Sequence, residues 1–235
     1  NFQNQIFQMI EGEKLGSFWG YTFAGVWQED DVNAPFVDAN GQTNGKTNGE
    51  VYKVKPGNSK YVDVNKDGVY NDADQGIIGC GQPTFNWGWN NTFNYKNFDF
   101  SFFVVGFHGF DIYNATHQMG YNLIKSQQMA GVTPMRELLN RWTPTNTNTD
   151  IPGFVKGGTE NKDFFSTRFV ENGSFIKMKS ITLGYTLPEA TCRSLGINNL
   201  RVYASVQNPF HITKYSGLDP EATMGSPLVQ GVDWG

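Results

Sequence analysis

The sequence predicts an all-β fold whose long antiparallel strands form part of a transmembrane barrel, and three observations carry that prediction. The first is the stretch from Thr84 to Phe107. Phe85, Trp87, Trp89, Phe93 and Tyr95 share one parity, and Asn86, Gly88, Asn90, Thr92 and Asn94 share the other. Period two with one apolar and one polar side is the mark of a β-strand. After a Lys96-Asn97 turn, Phe98, Phe100, Phe102 and Val104 continue the pattern against Asp99 and Ser101. Each arm has about ten residues, the length a tilted strand needs to cross a bilayer. The second observation is that long and short connections alternate along the chain, as in outer-membrane barrels. The third is composition: aromatic residues reach 15% while charged residues are only 17%, which suits a barrel with polar loops better than a cytosolic enzyme. A soluble sandwich would show the same alternation. It would bury the apolar face beneath a second sheet and fill the core with Val, Ile and Leu, whereas this face is largely aromatic.

Strands are expected near 1–10, 17–27, 84–95, 98–107, 174–187 and 199–208. In 17–27, Trp19, Tyr21 and Phe23 alternate with Phe18, Gly20 and Thr22. In 174–187, Ile181, Leu183, Tyr185 and Leu187 oppose Ser180, Thr182, Gly184 and Thr186. Lys177 and Lys179 occupy the apolar parity upstream, so that part is expected to have left the hydrocarbon. In the last strand Leu200, Val202, Ala204 and Val206 alternate with Arg201, Tyr203, Ser205 and Gln207. The connections 28–83, 108–173 and 209–235 are long and assigned to the extracellular side. Within 108–173, Thr133-Pro134 reads as a helix start, with Met135, Leu138, Leu139 and Trp142 as its apolar stripe and Pro144 limiting its end. Pro188 to Asn198 reads as a turn with one helical turn in it. Phe85, Trp87, Trp89, Phe98, Phe100, Ile181, Leu183, Val202 and Ala204 are expected to face lipid, and Asn90, Ser101 and Thr182 the lumen.

No apolar run approaches the roughly 18 residues of a membrane-spanning helix, so any crossing must be by strands. A net charge of −4 argues against a nucleic-acid partner. Cys80 and Cys192 have neither metal-site nor redox spacing; one disulfide is open to them, and two free thiols are favoured because Cys192 falls in a short turn. No paired carboxylates, Ser/His/Asp set or phosphate-cradling glycine loop indicates an enzyme. Asp111 and Asp163 read as ordinary loop acids, and His108 and His117 as loop histidines. The opening at Asn1 falls in mid-pattern, so the chain is expected to be a piece of a longer polypeptide.

The sharpest chemical motif lies inside the first long connection. Asp63, Asn65, Asp67 and Asn71 place side-chain oxygens at positions 1, 3, 5 and 9 of a twelve-residue loop, Gly68 stands at 6 and Asp74 at 12. Val69 at position 7 would offer its carbonyl. This is the ligand order of an EF-hand-type calcium loop, with Ca²⁺ expected at about 2.3–2.6 Å from the oxygens. Asp at position 12 shortens the last reach, as in dockerin-type loops. The bland reading is an Asx-rich turn that satisfies its own backbone.

Several segments carry a family likeness: G-S-F-W-G-Y at 16–21, K-P-G-N-S-K-Y-V-D-V-N-K-D-G at 55–68, I-I-G at 77–79, N-Y-K-N-F-D-F-S at 94–101 and G-F-D-I-Y-N at 109–114. So do F-I-K-M-K-S-I-T-L-G-Y-T-L-P at 175–188, N-L-R-V-Y-A-S-V-Q-N at 199–208 and T-K-Y-S-G-L-D-P-E at 213–221. Together they resemble the C-terminal portion of SusC/RagA-type TonB-linked outer-membrane transporters. Asn91 on the apolar parity and Cys80 after I-I-G depart from the family pattern. The resemblance implies a plugged barrel of about 22 strands, whose plug and N-terminal domains are absent from this chain. It implies import of oligosaccharide or peptide fragments across the outer membrane, energised by the TonB complex, with a SusD-like surface lipoprotein as lid and no catalytic residues. The strand-and-loop alternation then expects one more strand of about ten residues after Gly235, because an open edge in hydrocarbon leaves backbone groups unsatisfied. The alternative is a secreted, non-enzymatic glycan-binding β-sandwich with a dockerin-like calcium loop.

Overall fold

A computed structural model describes residues 6–8, 10–121, 135–153, 164–223 and 230–234. In chain order its elements are β1 (Ser17–Tyr21), β2 (Phe23–Val26), α1 (Glu29–Asn33), β3 (Pro35–Val37), β4 (Thr43–Thr47), α2 (Asn48–Tyr52), β5 (Ser59–Tyr61) and β6 (Gln75–Cys80). Then follow β7 (Phe85–Tyr95), β8 (Phe98–His108), β9 (Asp111–Asn114), α3 (Ala115–Tyr121), β10 (Val170–Asn172), β11 (Phe175–Thr186), α4 (Glu189–Ser194), β12 (Arg201–Thr213) and β13 (Val232–Asp233).

The long strands β7, β8, β11 and β12 form one antiparallel sheet in the order β12-β11-β8-β7. The turn between β7 and β8 is tight because Lys96 takes φ 53, the left-handed conformation that reverses a hairpin. Strand β12 runs past 208 to Thr213, further than the alternation predicts. Asn208 at φ 47 absorbs an irregularity in the pairing, and Pro209, which has no N–H to give, falls inside that irregularity, where the ladder with β11 asks none of it.

The other strands are short and make small sheets apart from the long one. The expected strand 17–27 is broken at Thr22: β1 pairs with β6, with a bulge at Phe18/Trp19, and β2 pairs with β5. Both parities of β1 are buried, so its alternation does not mark a lipid-facing wall. Of 1–10, residues 1–5 and 9 lie outside the described set, and Phe7 makes only an isolated bridge to Phe18. The segment 28–83, which reads as loop, is ordered. Thr47 caps α2 with a reciprocal Glu50 box, and Tyr52, Tyr61, Tyr70, Trp27 and Phe36 pack as an aromatic cluster. The Thr133-Pro134 helix start lies outside the described residues. Beyond it Arg136–Asn140 is a 3-10 helix, not a longer α-helix. Met135 is still extended, and the tighter winding separates buried Leu138 from Leu139, which is 80% exposed.

Two cores join these parts. Ile6, Phe18, Tyr113, Ala115, Phe169 and Val232 form one. Val105, Phe110, Ile112, Phe175 and Tyr215 form the other, which ties the ends of β8 and β11 to β9. Both cysteines are free thiols.

Candidate functional site

The long sheet presents two unlike faces. Direct pairs Trp89↔Val104, Phe93↔Phe100 and Tyr95↔Phe98 put the aromatic parities of β7 and β8 on the same side. Phe102↔Ile181 and Phe100↔Leu183 extend that side to β11, and Ile181↔Val206, Leu183↔Ala204 and Tyr185↔Val202 extend it to β12. Strand β8 has 11 residues; at about 3.3 Å per residue and a tilt near 40° it gives an apolar band roughly 25 Å tall. Among the described residues no second sheet covers the band: Trp89 and Phe93 are each 54% exposed. At one end Trp87 lies over Gly106, where a Cβ would meet its ring at 2.4 Å, and its Nε1–H donates to His108 Nε2 at 3.2 Å. Asn91 stands in this face opposite Phe102.

The other face is the more polar one, although Phe103 and Tyr203 also lie on it. Thr182 and Ser205 hydroxyls meet at 2.9 Å. Asp99 on β8 and Arg201 on β12 bridge across the intervening strand β11, with Nε to Oδ1 at 3.0 Å and Nη2 to Oδ2 at 2.5 Å. They can do so because residue 184 is glycine: a Cβ there would lie 2.4 Å from the carboxylate and 2.5 Å from the guanidinium. The two-pronged geometry fixes both side chains. A lone Gly in a strand signals close approach, but only the pairing reveals what approaches.

The expected place of Lys177 on the apolar side is overturned. A bulge between Met178 and Ser180 leaves Lys179 as an extra residue, so the parity of β11 flips there. Lys177 thereby pairs with Val105, on the polar side of β8, and is 6% exposed. Its ammonium donates to Asp219 at 2.6 Å and Glu221 at 2.7 Å, and Lys179 also reaches Glu221. Burial alone would raise the two carboxyls; hydrogen bonds from the lysines bring both below their ordinary range.

Glu171 is a second polar centre that sequence reasoning missed. It accepts from Asn114 Nδ2 at 2.9 Å, from the Ser216 N–H at 2.8 Å and the Ser216 hydroxyl at 2.7 Å, while His117 Nδ1 stands 3.7 Å away. Burial opposes ionisation, but the contacts with His117, Ser216 and Asn114 win and hold the carboxyl at about 2. Asp111 is structural, its Oδ2 accepting the Cys80 N–H at 3.0 Å. Asp163 lies outside the described residues.

The loop 63–74 folds against the aromatic cluster. Asp63 Oδ2 accepts the Tyr52 hydroxyl at 2.8 Å and the Gly68 N–H at 2.9 Å, with Gly68 at φ +83. Asn65, Asp67 and Asn71 each accept the N–H two residues on, at 3.1, 2.8 and 2.8 Å. Val69 N–H, then the Asn65 and Asn71 amides, hold the Asp67 carboxyl below its usual range. Asp74 is buried and ties the loop ends together, Oδ1 to Val64 N–H at 2.9 Å and Oδ2 to Asn71 N–H at 3.0 Å. Among the described residues no three His, Cys, Asp or Glu side chains already converge as a metal cage. The donor chemistry nevertheless fits a hard cation, because Asp63 Oδ1 is shielded from solvent and accepts no hydrogen bond.

No family model matches the chain. It is 35% identical over 220 residues to TonB-dependent receptor P3 of Formosa agariphila, across 94% of this chain and 20% of that protein. It is 32% identical over 173 residues to TonB-dependent receptor SusC of Bacteroides thetaiotaomicron, across 73% of this chain and 16% of that protein. The chain belongs to the SusC/RagA-type TonB-dependent receptors. It spans about a fifth of the length of such relatives. Its fold is similar to that of the RagAB peptide transporter, with TM-score 0.63, 20% identity and coverage of 97% of this chain and 22% of that one. As a SusC/RagA-type segment it is thus a stretch of β-barrel wall with its attached loops, and the matched relatives are receptors, not enzymes.

Proposed function

We propose that the intact protein is an outer-membrane importer in which this segment supplies part of the barrel wall and the outward-facing loops. Among the described residues no second sheet covers the apolar face of β7, β8, β11 and β12, and this carries the reading, since a sandwich would bury it. The apolar band faces lipid and the Asp99–Arg201 side faces the lumen. The tight turn at Lys96-Asn97 and the α4 connection lie on the periplasmic side. Segments 28–83, 108–173 and the chain after Thr213 lie outside the cell. Import is driven by the TonB complex, a SusD-like lipoprotein closes the barrel, and the cargo is an oligosaccharide or a peptide. The likeness to SusC and to the RagAB peptide transporter supports this assignment.

The test is uptake of labelled oligosaccharides and peptides by cells carrying the full-length protein, with and without a functional TonB complex. TonB-dependent accumulation of one class is expected. Uptake that is indifferent to TonB would overturn the importer reading.

A further inference from the structure

We propose that the loop 63–74 binds Ca²⁺ and that the ion locks it onto the Tyr52 cluster. The decisive observation is Asp63 Oδ1, a carboxylate oxygen withdrawn from solvent and without a hydrogen-bond donor. Leaving such an atom bare is costly, and a cation against it removes the cost. The partner oxygen Oδ2 is taken by Tyr52 and Gly68, which fixes the carboxylate in place. Gly68 makes the turn at φ +83, and a Cβ there would meet Val51 Cγ1 at 2.2 Å, so the turn is wedged against α2.

The remaining donors suit the same ion. Oδ1 of Asn65, Asp67 and Asn71 each spend one lone pair on a backbone N–H and keep another. The side-chain amides of Asn65 and Asn71 both donate to Asp67 Oδ2, at 3.0 and 3.1 Å. Two positive amide ends are thus gathered on one carboxylate oxygen, where a divalent ion would replace them. Val69 O, now held by the Asn71 amide at 3.2 Å, would be released to the metal. Asp74, with both oxygens on backbone N–H groups, closes the loop. Mixed oxygen donors with water completing the shell suit calcium, which tolerates irregular coordination of six to eight oxygens; magnesium demands a near-ideal octahedron.

Full-length transporter in detergent, stripped with chelator, is titrated with Tb³⁺ under tyrosine excitation. Tyr52 touches Asp63 and stacks on Tyr70 at 5.1 Å, so bound Tb³⁺ is sensitised. Emission should be displaced by Ca²⁺ but not by equal Mg²⁺. Asp63→Asn should weaken Ca²⁺ competition about tenfold or more, and Asn65→Asp, which adds an exposed carboxylate, should strengthen it several-fold, following ligand charge. Emission absent in the wild type, insensitive to Ca²⁺ or unchanged by Asp63→Asn would overturn the site. If Asp63→Asn fails to fold, an unaltered Ca²⁺ titration in Asn65→Asp would do the same.

Discussion

In the long sheet Trp89 and Phe93 are each 54% exposed, whereas in the short strands Phe18 is 0% and Tyr21 5% exposed. Both regions are rich in aromatics at period two. They differ in strand length and in what covers the rings. An 11-residue strand paired in register lays its aromatics out as a continuous band. A 5-residue strand interrupted by a bulge cannot: Phe18 turns into a core with Phe7 and Tyr113, and Tyr21 packs against Tyr61 and Phe164. Alternation therefore marks a strand, but only sustained alternation marks a wall.

The largest effect expected from breaking this contrast is in the short-strand core. Phe18→Ala removes a fully buried ring and should cost about 3–5 kcal/mol, read from chaotrope unfolding of the full-length protein. Phe93→Ala on the open band should cost far less in the same assay. Equal losses would mean the band is a protein core after all.

A somewhat smaller effect separates the two faces of one strand. Ile181→Arg places a charge mid-band and should destabilise membrane insertion by about 2–4 kcal/mol. Thr182→Arg, beside the Ser205 hydroxyl on the polar face, should insert nearly as well as the wild type. Reversal of that order in a folding assay into lipid vesicles would show the register to be slipped by one residue.

The third contrast is electrostatic and concerns the loop side. Glu171 is lowered from 4.5 to about 2, so its contribution is present above pH 4.5 and lost as pH falls toward 2. The full shift corresponds to something on the order of 3 kcal/mol. Glu171→Gln should be weaker than the wild type at neutral pH and flat through that window. The expected readout is local proteolysis around Ser216, whose N–H and hydroxyl both bond Glu171. A variant that keeps the wild-type acid dependence would assign the transition to another group.

The sequence by itself determined the long strands, because period two over about ten residues leaves a chain few other ways to segregate its faces. It placed the tight turn at Lys96-Asn97, where the alternation breaks, although Lys96 and not Asn97 takes the positive φ, and it made the calcium-loop pattern of 63–74 readable because that pattern is contiguous. Tertiary structure decided the rest. The fate of 17–27 depended on pairing with β5 and β6, which lie 33 or more residues away along the chain and leave no local mark. The side of β11 on which Lys177 emerges depended on one extra residue at the bulge, invisible until the register with Val104 and Phe103 is known. The Asp99–Arg201 and Glu171 centres join residues far apart in sequence. Ion pairs and hydrogen bonds act over a few ångströms of space, and space is what a linear pattern does not contain.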